Sequence, residues 1–348
     1  MYKRIIRPIL FLFKPENVHD IIIKTIKVGF KVPGIRFIVK SSFCYRDELL
    51  ACNVFGIEFP NPVGLAAGFD KNAELFRELS SFGFSFIEVG TITPQFQSGN
   101  PKPRSFRLED DEALINRMGF NNEGVLAAKK RLEKKGKRVI IGGNIGKNTA
   151  TPNNQASEDY LKCFTELYQL VDYFVVNISC PNISNLRELQ DKENLNGILS
   201  ALTNHRTNQS KYVPILLKVS PDLDQQQLED TVSLAQKVGL DGFVATNTTV
   251  SRDGLKMPEE KLNAIGNGGL SGSPIKSRST EVIRFIAHKT KGTMPIIGVG
   301  GVMSPDDALE KLEAGASLIQ LYTGFIYSGP GLAKSICKAI VKKRVGDL

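Results

Sequence analysis

Val175-Val176-Asn177-Ile178-Ser179-Cys180-Pro181-Asn182 reads as the mouth of a buried strand. Val171, Tyr173, Phe174, Val175, Val176 and Ile178 make an apolar run rich in β-branched and aromatic side chains, the pattern of a covered strand. Proline has no N–H to give to a ladder, so the chain must turn at Pro181. Asn177, Ser179, Cys180 and Asn182 then set two amides, a hydroxyl and a thiol where the strand opens. Such a set can recognise a small polar molecule and exchange a proton with it. Alone, it reads better as an ordinary strand end with an asparagine turn and a half-buried cysteine; the rest of the chain reverses that.

Working outward, the same motif recurs. Buried-looking strands are expected near 62–68, 84–91, 138–146, 171–179, 213–220, 242–248, 295–301 and 317–323. Helical periodicity separates them near 73–82, 122–135, 157–170, 194–208, 225–238, 277–291, 305–314 and 332–345. Eight strands, each followed by a helix, imply a parallel sheet, and eight is the number that closes into a (β/α)8 TIM barrel of class α/β. An open doubly wound sheet would want a phosphate loop after its first strand, and Ala67-Gly68-Phe69-Asp70 is not one. A short hairpin turning at Gly56 precedes the barrel. The connections at 92–121, 180–193 and 249–273 are long, and all three follow strand C-termini, where barrel enzymes place their chemistry.

Charge separates the N-terminus from the rest. The 348 residues carry a net +9, but residues 1–40 hold nine basic side chains against two acidic ones, +7, leaving +2 for the remainder. A basic face for nucleic acid across the body is thereby excluded. Ile5–Phe13 and the run from Val18 to Phe30 read as two short amphipathic helices, apolar on one side and basic on the other. They suit a cap on the barrel or an anchor in the headgroup region of an anionic membrane, and the charge concentration favours the anchor. The expected division is 1–45 as that segment and 46–348 as the barrel. No apolar run is long enough to span a bilayer, and Arg7 and Pro8 interrupt any signal-peptide reading of the first stretch. Five cysteines with no C-x-x-C spacing, and three histidines, argue against a zinc site or a disulfide framework and for a reducing compartment; no metal is expected.

The strand ends collect a distinctive set. Lys71, Thr91, Asn144, Asn177, Lys218, Thr246-Asn247-Thr248, Gly300-Gly301 and Tyr322-Thr323-Gly324 follow in order, with Asn116 to Asn122 and Gly269 to Gly272 in the long loops. Gly300-Gly301 after strand seven, with Tyr322-Thr323-Gly324 alongside after strand eight, suits a phosphate held by backbone N–H groups. Lysines at a barrel mouth are seldom structural, because an unpaired buried ammonium is costly. Lys71 and Lys218 suit a Schiff base, an anion, or negative charge on a cofactor ring. The asparagines favour a flat ligand with alternating N–H and C=O edges, and the scarcity of carboxylates disfavours metal-assisted hydrolysis and glycosidase chemistry.

Gly64-Leu-Ala-Ala-Gly-Phe-Asp-Lys71, Asn100-Pro-Lys-Pro-Arg104, Ile115-Asn-Arg-Met-Gly-Phe-Asn-Asn122, Asn144-Ile-Gly-Lys-Asn148, Asn177-Ile-Ser-Cys-Pro-Asn182, Ala245-Thr-Asn-Thr-Thr249, Gly268-Gly-Leu-Ser-Gly272 and Gly298-Val-Gly-Gly301 stand in one order along the chain. With them the sequence resembles the dihydroorotate dehydrogenase family, most closely its membrane-associated, quinone-reducing class 2. The resemblance implies FMN on the barrel mouth, bounded by Ala67, Gly68, Phe69, Asp70, Lys71, Thr91, Asn144, Asn177, Lys218 and Thr246, with Gly272, Gly301, Tyr322 and Thr323 at its phosphate. It implies dihydroorotate held by Lys71, Asn116, Arg117, Met118, Gly119, Phe120, Asn177, Asn182, Asn247 and Thr248, and oxidised to orotate in pyrimidine (UMP) biosynthesis. Cys180 takes the family's base position, and a quinone enters between the N-terminal helices beside His19 and Arg104. The implied location is peripheral, on the cytoplasmic side of the cell (inner) membrane, through residues 1–45, with no nucleic-acid partner.

One residue departs from the pattern: quinone-reducing members commonly have serine where Cys180 stands, and the soluble classes, using fumarate or NAD, have cysteine. The alternatives are therefore a soluble dihydroorotate dehydrogenase whose helices merely cap the barrel, an unrelated phosphate-binding barrel such as a sugar-phosphate isomerase or synthase, and a non-catalytic flavoprotein or membrane scaffold.

Overall fold

The computed structural model describes residues 2–136, 139–178 and 192–346. Cys180 and Asn182 lie outside these residues, as does most of the 180–193 connection. The eight expected strands are β1 Val63–Leu65, β2 Phe86–Ile92, β3 Ile140–Ile145, β4 Tyr173–Asn177, β5 Ile215–Val219, β6 Gly242–Ala245, β7 Ile296–Val299 and β8 Leu318–Leu321. Each pairs in parallel with the next and β8 returns to β1, closing the barrel in chain order. Helices Val125–Leu132, Ala156–Leu167, Lys192–Thr207, Gln225–Lys237, Lys276–Lys289, Pro305–Glu313 and Leu332–Gly346 follow strands β2 to β8. The helix expected at 73–82 shrinks to Phe76–Leu79 and a 3-10 turn. The Asp70 carboxylate accepts the Glu74 and Leu75 N–H groups at 2.7 and 2.9 Å, which holds the stretch before it as a turn.

Side chains alternate along a strand with period two, so each strand sends every second residue into the barrel. The lower inward layer is apolar, with Phe86, Tyr173, Leu216, Val244, Ile297 and Leu318 in one cluster. One step nearer the strand C-termini the same strands supply Glu88, Asn177 (two steps beyond Tyr173), Lys218, Thr246 and Gln320. The hairpin Cys52–Val54/Ile57–Phe59 plugs the other end, with Val54 and Phe59 in the interior cluster. A larger apolar shell lies between strands and helices.

The long loops have structure of their own. Ser105–Leu108 and Ala113–Asn116, from the loop after β2, pair antiparallel, and Gly269–Gly272, from the loop after β6, joins them as a third strand. That loop also carries helix Glu259–Ile265.

The N-terminal segment has three helices rather than the two expected: α1 Arg7–Phe11 (continuing a π-helical turn, Tyr2–Ile6), α2 Pro15–Gly29 and α3 Ile35–Phe43. The layer has two apolar faces, one packed on the barrel and one exposed. Inward, Ile23 and Ile26 pack on the barrel shell, Phe11 meets Tyr327 edge-on at 5.2 Å, and Phe30 and Phe43 contact Phe82. Outward, Leu12 is 82% exposed and Phe37 77%, with Ile5, Ile9, Phe13, Ile21, Val28 and Ile38 also exposed. So much uncovered apolar surface on one segment marks an interaction face. No described helix is long and apolar enough to cross a membrane.

Candidate active site

A cavity of about 1050 Å³ opens at the C-terminal ends of the strands. Among its walls are Ala67, Gly68, Lys71, Thr91, Asn116, Met118, Gly119, Phe120, Asn177, Lys218, Thr246, Asn247, Thr248, Gly272, Gly301, Tyr322 and Thr323, all singled out from the sequence. Residues from all three long-range contributors, the barrel strands, the loop after β2 and the loop after β6, therefore face one space.

Its floor is a connected polar network. Thr91 Oγ1 donates to Asn144 Oδ1 at 2.6 Å, Asn177 Nδ2 donates to Thr91 Oγ1 at 3.0 Å, and Asn247 Nδ2 donates to Asn177 Oδ1 at 3.2 Å. Thr91 breaks the period-two alternation. The β2–β3 register shifts between Val89 and Ile92, and such an irregularity re-aims side chains, which brings Thr91 into the cavity. Asn144 does not line the cavity; it is fully buried behind Thr91 and Asn177 and fixes both.

Below the asparagines lies a residue the sequence reading missed. Glu88 is fully buried, and one oxygen accepts from Asn144 Nδ2 at 2.7 Å while the other accepts from Gln320 Nε2 at 2.6 Å. The Lys218 ammonium stands 3.7 Å from Glu88 Oε1. A carboxylate with no partner would be costly there, but side chains from β3, β5 and β8 answer it. The available signal was a lone acid at an inward position of the apolar run Phe84–Val89.

The opposite wall is backbone. Gly300 and Gly301 have φ of +119° and +71°, left-handed values that side-chain-bearing residues rarely adopt. A Cβ on Gly301 would stand 2.5 Å from the Lys276 Cα. The turn after β7 is thus bare and close to helix Lys276–Lys289, with Gly272, Tyr322 and Thr323 beside it. Burial raises the Tyr322 phenol to about 12, so it stays a neutral donor.

Besides Asn144, three expected contacts are absent from the cavity wall: Phe69, Asp70 and Arg117. Asp70 is turned into the cap described above, and Phe69 packs edge-on against His19, Tyr322 and Phe325. Arg117 is a strut: its guanidinium donates to the Pro103, Ile265 and Asn267 carbonyls and lies over the Phe106 ring. His19 and Arg104 do not line the cavity, and each interacts with the Lys71 charge. Arg104 binds Glu16 of α2 at 2.9 Å and the Ser98 carbonyl at 2.6 Å, tying that helix to the loop after β2.

Charges at this edge are tuned by burial. The Lys71 amine falls to about 8, through burial first and then the Arg104 guanidinium, against Glu16, Asp20 and Asp70. The His19 imidazole falls from 6.5 to about 3, through burial and the Lys71 ammonium, against a backbone hydrogen bond at Phe69. Unfolded His19 takes a proton near 6.5, whereas the folded side chain refuses it until about 3. Its contribution to stability is therefore complete above pH 6.5 and lost as the pH falls towards 3. His19→Leu should show a smaller drop in thermal midpoint than the unchanged protein between about pH 7 and pH 4.5. Equal drops would mean that His19 is freely solvated.

The dihydroorotate dehydrogenase family model matches residues 49–343. A protein of Christiangramia forsetii named dihydroorotate dehydrogenase (quinone) is 55% identical over 343 residues, covering 99% of each chain. One of the same name from Idiomarina loihiensis is 46% identical over 95% of this chain and 98% of its own. The crystal structure of ligand-free DHODH from Eimeria tenella is 35% identical and superposes with a TM-score of 0.87 over 96% of both chains. The match spans barrel and N-terminal helices alike, and the chain belongs to the dihydroorotate dehydrogenase family, among its quinone-dependent oxidoreductases.

Proposed function

We propose that this chain oxidises dihydroorotate to orotate with a bound FMN and passes the electrons to a membrane quinone, in pyrimidine (UMP) biosynthesis. The observation that carries the reading is the single cavity that joins an amide-and-lysine end to a bare glycine turn. The first suits a flat, anionic substrate, and the second suits a phosphate. The glycine wall fits FMN, since side chains are excluded where its phosphate would need backbone N–H groups.

Gly272, Gly301, Tyr322 and Thr323 would hold the phosphate, and Ala67, Gly68, Thr91, Asn177, Lys218 and Thr246 the ring, with Asn144 behind them. When bound, FMN would supply the two-electron chemistry, as acceptor for the hydride lost from C6 of dihydroorotate and as carrier of its two electrons to the quinone. The residues do the rest. Lys71 pairs with the substrate carboxylate, while Asn116, Asn177, Asn182, Asn247 and Thr248 read its amide edges. Met118, Gly119 and Phe120 cover it. Cys180 takes the C5 proton as general base, which leaves the C5–H electron pair to form the new double bond. Lys218 stabilises negative charge beside the ring, and Glu88 holds that lysine in place.

Residues 1–45 would rest on the cytoplasmic face of the cell membrane, apolar side inward, with the quinone entering beside His19 and Arg104. The exposed apolar side chains of α1 to α3 support this. Cys180 alone favours a second reading, a soluble enzyme using fumarate or NAD. The test is to purify the protein in detergent, add dihydroorotate without oxygen, and then add an acceptor. A yellow protein should bleach and regain colour with a quinone. A colourless preparation refutes the flavin reading, and recovery only with fumarate or NAD transfers the chain to the second one.

A further inference from the structure

Helix Pro305–Glu313 buries two side chains, Ala308 and Lys311, on its inner face. Lys311 is fully buried, where helix packing would ordinarily call for an apolar residue. Its ammonium donates to Ser279 Oγ at 2.6 Å, to Thr280 Oγ1 at 3.1 Å and to the Lys276 carbonyl at 3.4 Å. Three donors meet three acceptors, and all three acceptors are neutral. The acids whose fields reach it, Asp307 and Glu310, are held by Lys276 at 3.1 and 3.4 Å. A buried ammonium answered only by neutral oxygens is expensive unless an anion also compensates it.

The place where an anion would do so is adjacent. Ser279 Oγ, which Lys311 holds, itself contacts the Val299 and Gly300 carbonyl oxygens at 3.0 and 3.3 Å. A planar peptide carries its N–H on the edge opposite its carbonyl. Fixing the Gly300 carbonyl towards the helix therefore turns the Gly301 N–H the other way, to the cavity that both glycines line.

We infer that Lys311 is a positioning residue for the phosphate end of the site: it braces the Gly300–Gly301 turn through Ser279 and adds, from behind, the positive charge that favours a phosphate dianion in front. The inference rests on the FMN reading above and assigns that reading's phosphate specificity to a side chain outside the cavity. Burial lowers the Lys311 amine to about 8, against Glu310 and Asp307, so it still carries charge at neutral pH.

The full-length chain, stripped of flavin, should be titrated with FMN and with riboflavin, which lacks the phosphate. The unchanged protein should prefer FMN strongly. In Lys311→Met that preference should shrink by at least ~10-fold, with riboflavin affinity unaltered, because the lost charge acts only on the phosphate. A preference that survives, or an equal loss for both flavins, overturns the inference and leaves Lys311 a packing residue. An unchanged protein that binds both flavins alike overturns the phosphate reading itself. Should Lys311→Met fail to fold, the unchanged protein gives the answer. Its preference for FMN should decline as the pH rises beyond about 8. Lys276, raised by its bonds to Asp307, and Asp307, lowered against burial by Ser304 and Lys276, keep their charges over that range, so a constant preference is equally fatal.

Discussion

Replacing Cys180 by alanine is expected to slow flavin bleaching by dihydroorotate at least ~10²-fold while FMN stays bound, the usual cost of removing a general base. A free thiol titrates near ~8.5, far below a serine hydroxyl. Cys180→Ser should therefore keep part of the rate but need a higher pH to reach it. The rapid reaction of enzyme with substrate under anaerobic conditions, followed across pH, separates the two variants. Bleaching of the alanine variant at the normal rate would remove Cys180 from the chemistry. A serine variant with an unmoved profile would show that some other group sets the pH dependence.

Deleting residues 1–40 should divide the reaction in two. All the proposed flavin and substrate residues come after residue 60, so the shortened protein should remain yellow and be bleached by dihydroorotate. Re-oxidation by a long-chain quinone should fall about 10²-fold, equivalent to losing ~3 kcal/mol of apolar contact. Binding to anionic vesicles should vanish with it, and in the intact protein should weaken as salt rises, because the +7 of the segment acts through a screened field. The deletion also uncovers Phe82 and Tyr327, now packed against Phe30 and Phe11, so a lower thermal midpoint is expected. Normal long-chain quinone turnover by the shortened protein would detach the segment from acceptor chemistry.

The barrel was legible because its signal is redundant. Eight apolar runs and eight amphipathic stretches alternate, and an error in any one leaves the count intact. The cavity residues were legible for the same reason, since the C-terminal end of each strand is known once the strand is. What escaped depends on partners distant in sequence. Ser105–Leu108 and Gly269–Gly272 become strands only by pairing with Ala113–Asn116, and nothing local to either announces it. Asp70 and Arg117 stood inside motifs whose neighbours line the cavity, yet Asp70 caps a turn and Arg117 binds carbonyls. A motif marks a neighbourhood, and the rotamer decides which members face the ligand. Glu88 and Lys311 were the reverse case: they sit in no motif, and their meaning comes from burial, which periodicity alone does not assign to a charged side chain.

The three-stranded sheet over the mouth has a consequence for redesign. Asn116 stands opposite Gly269, and Gly272 opposite Ala113, so two residues of the cavity wall occupy the far ends of one ladder. Three strand rises, about 10 Å, separate those ends, and the hydrogen bonds make that distance a calliper. An engineer who lengthens the Ala113–Asn116 strand by one residue to admit a larger substrate would flip its side chains and drag the far jaw as well. Substrate scope is better altered by side-chain exchange within the jaws than by changing the length of either arm.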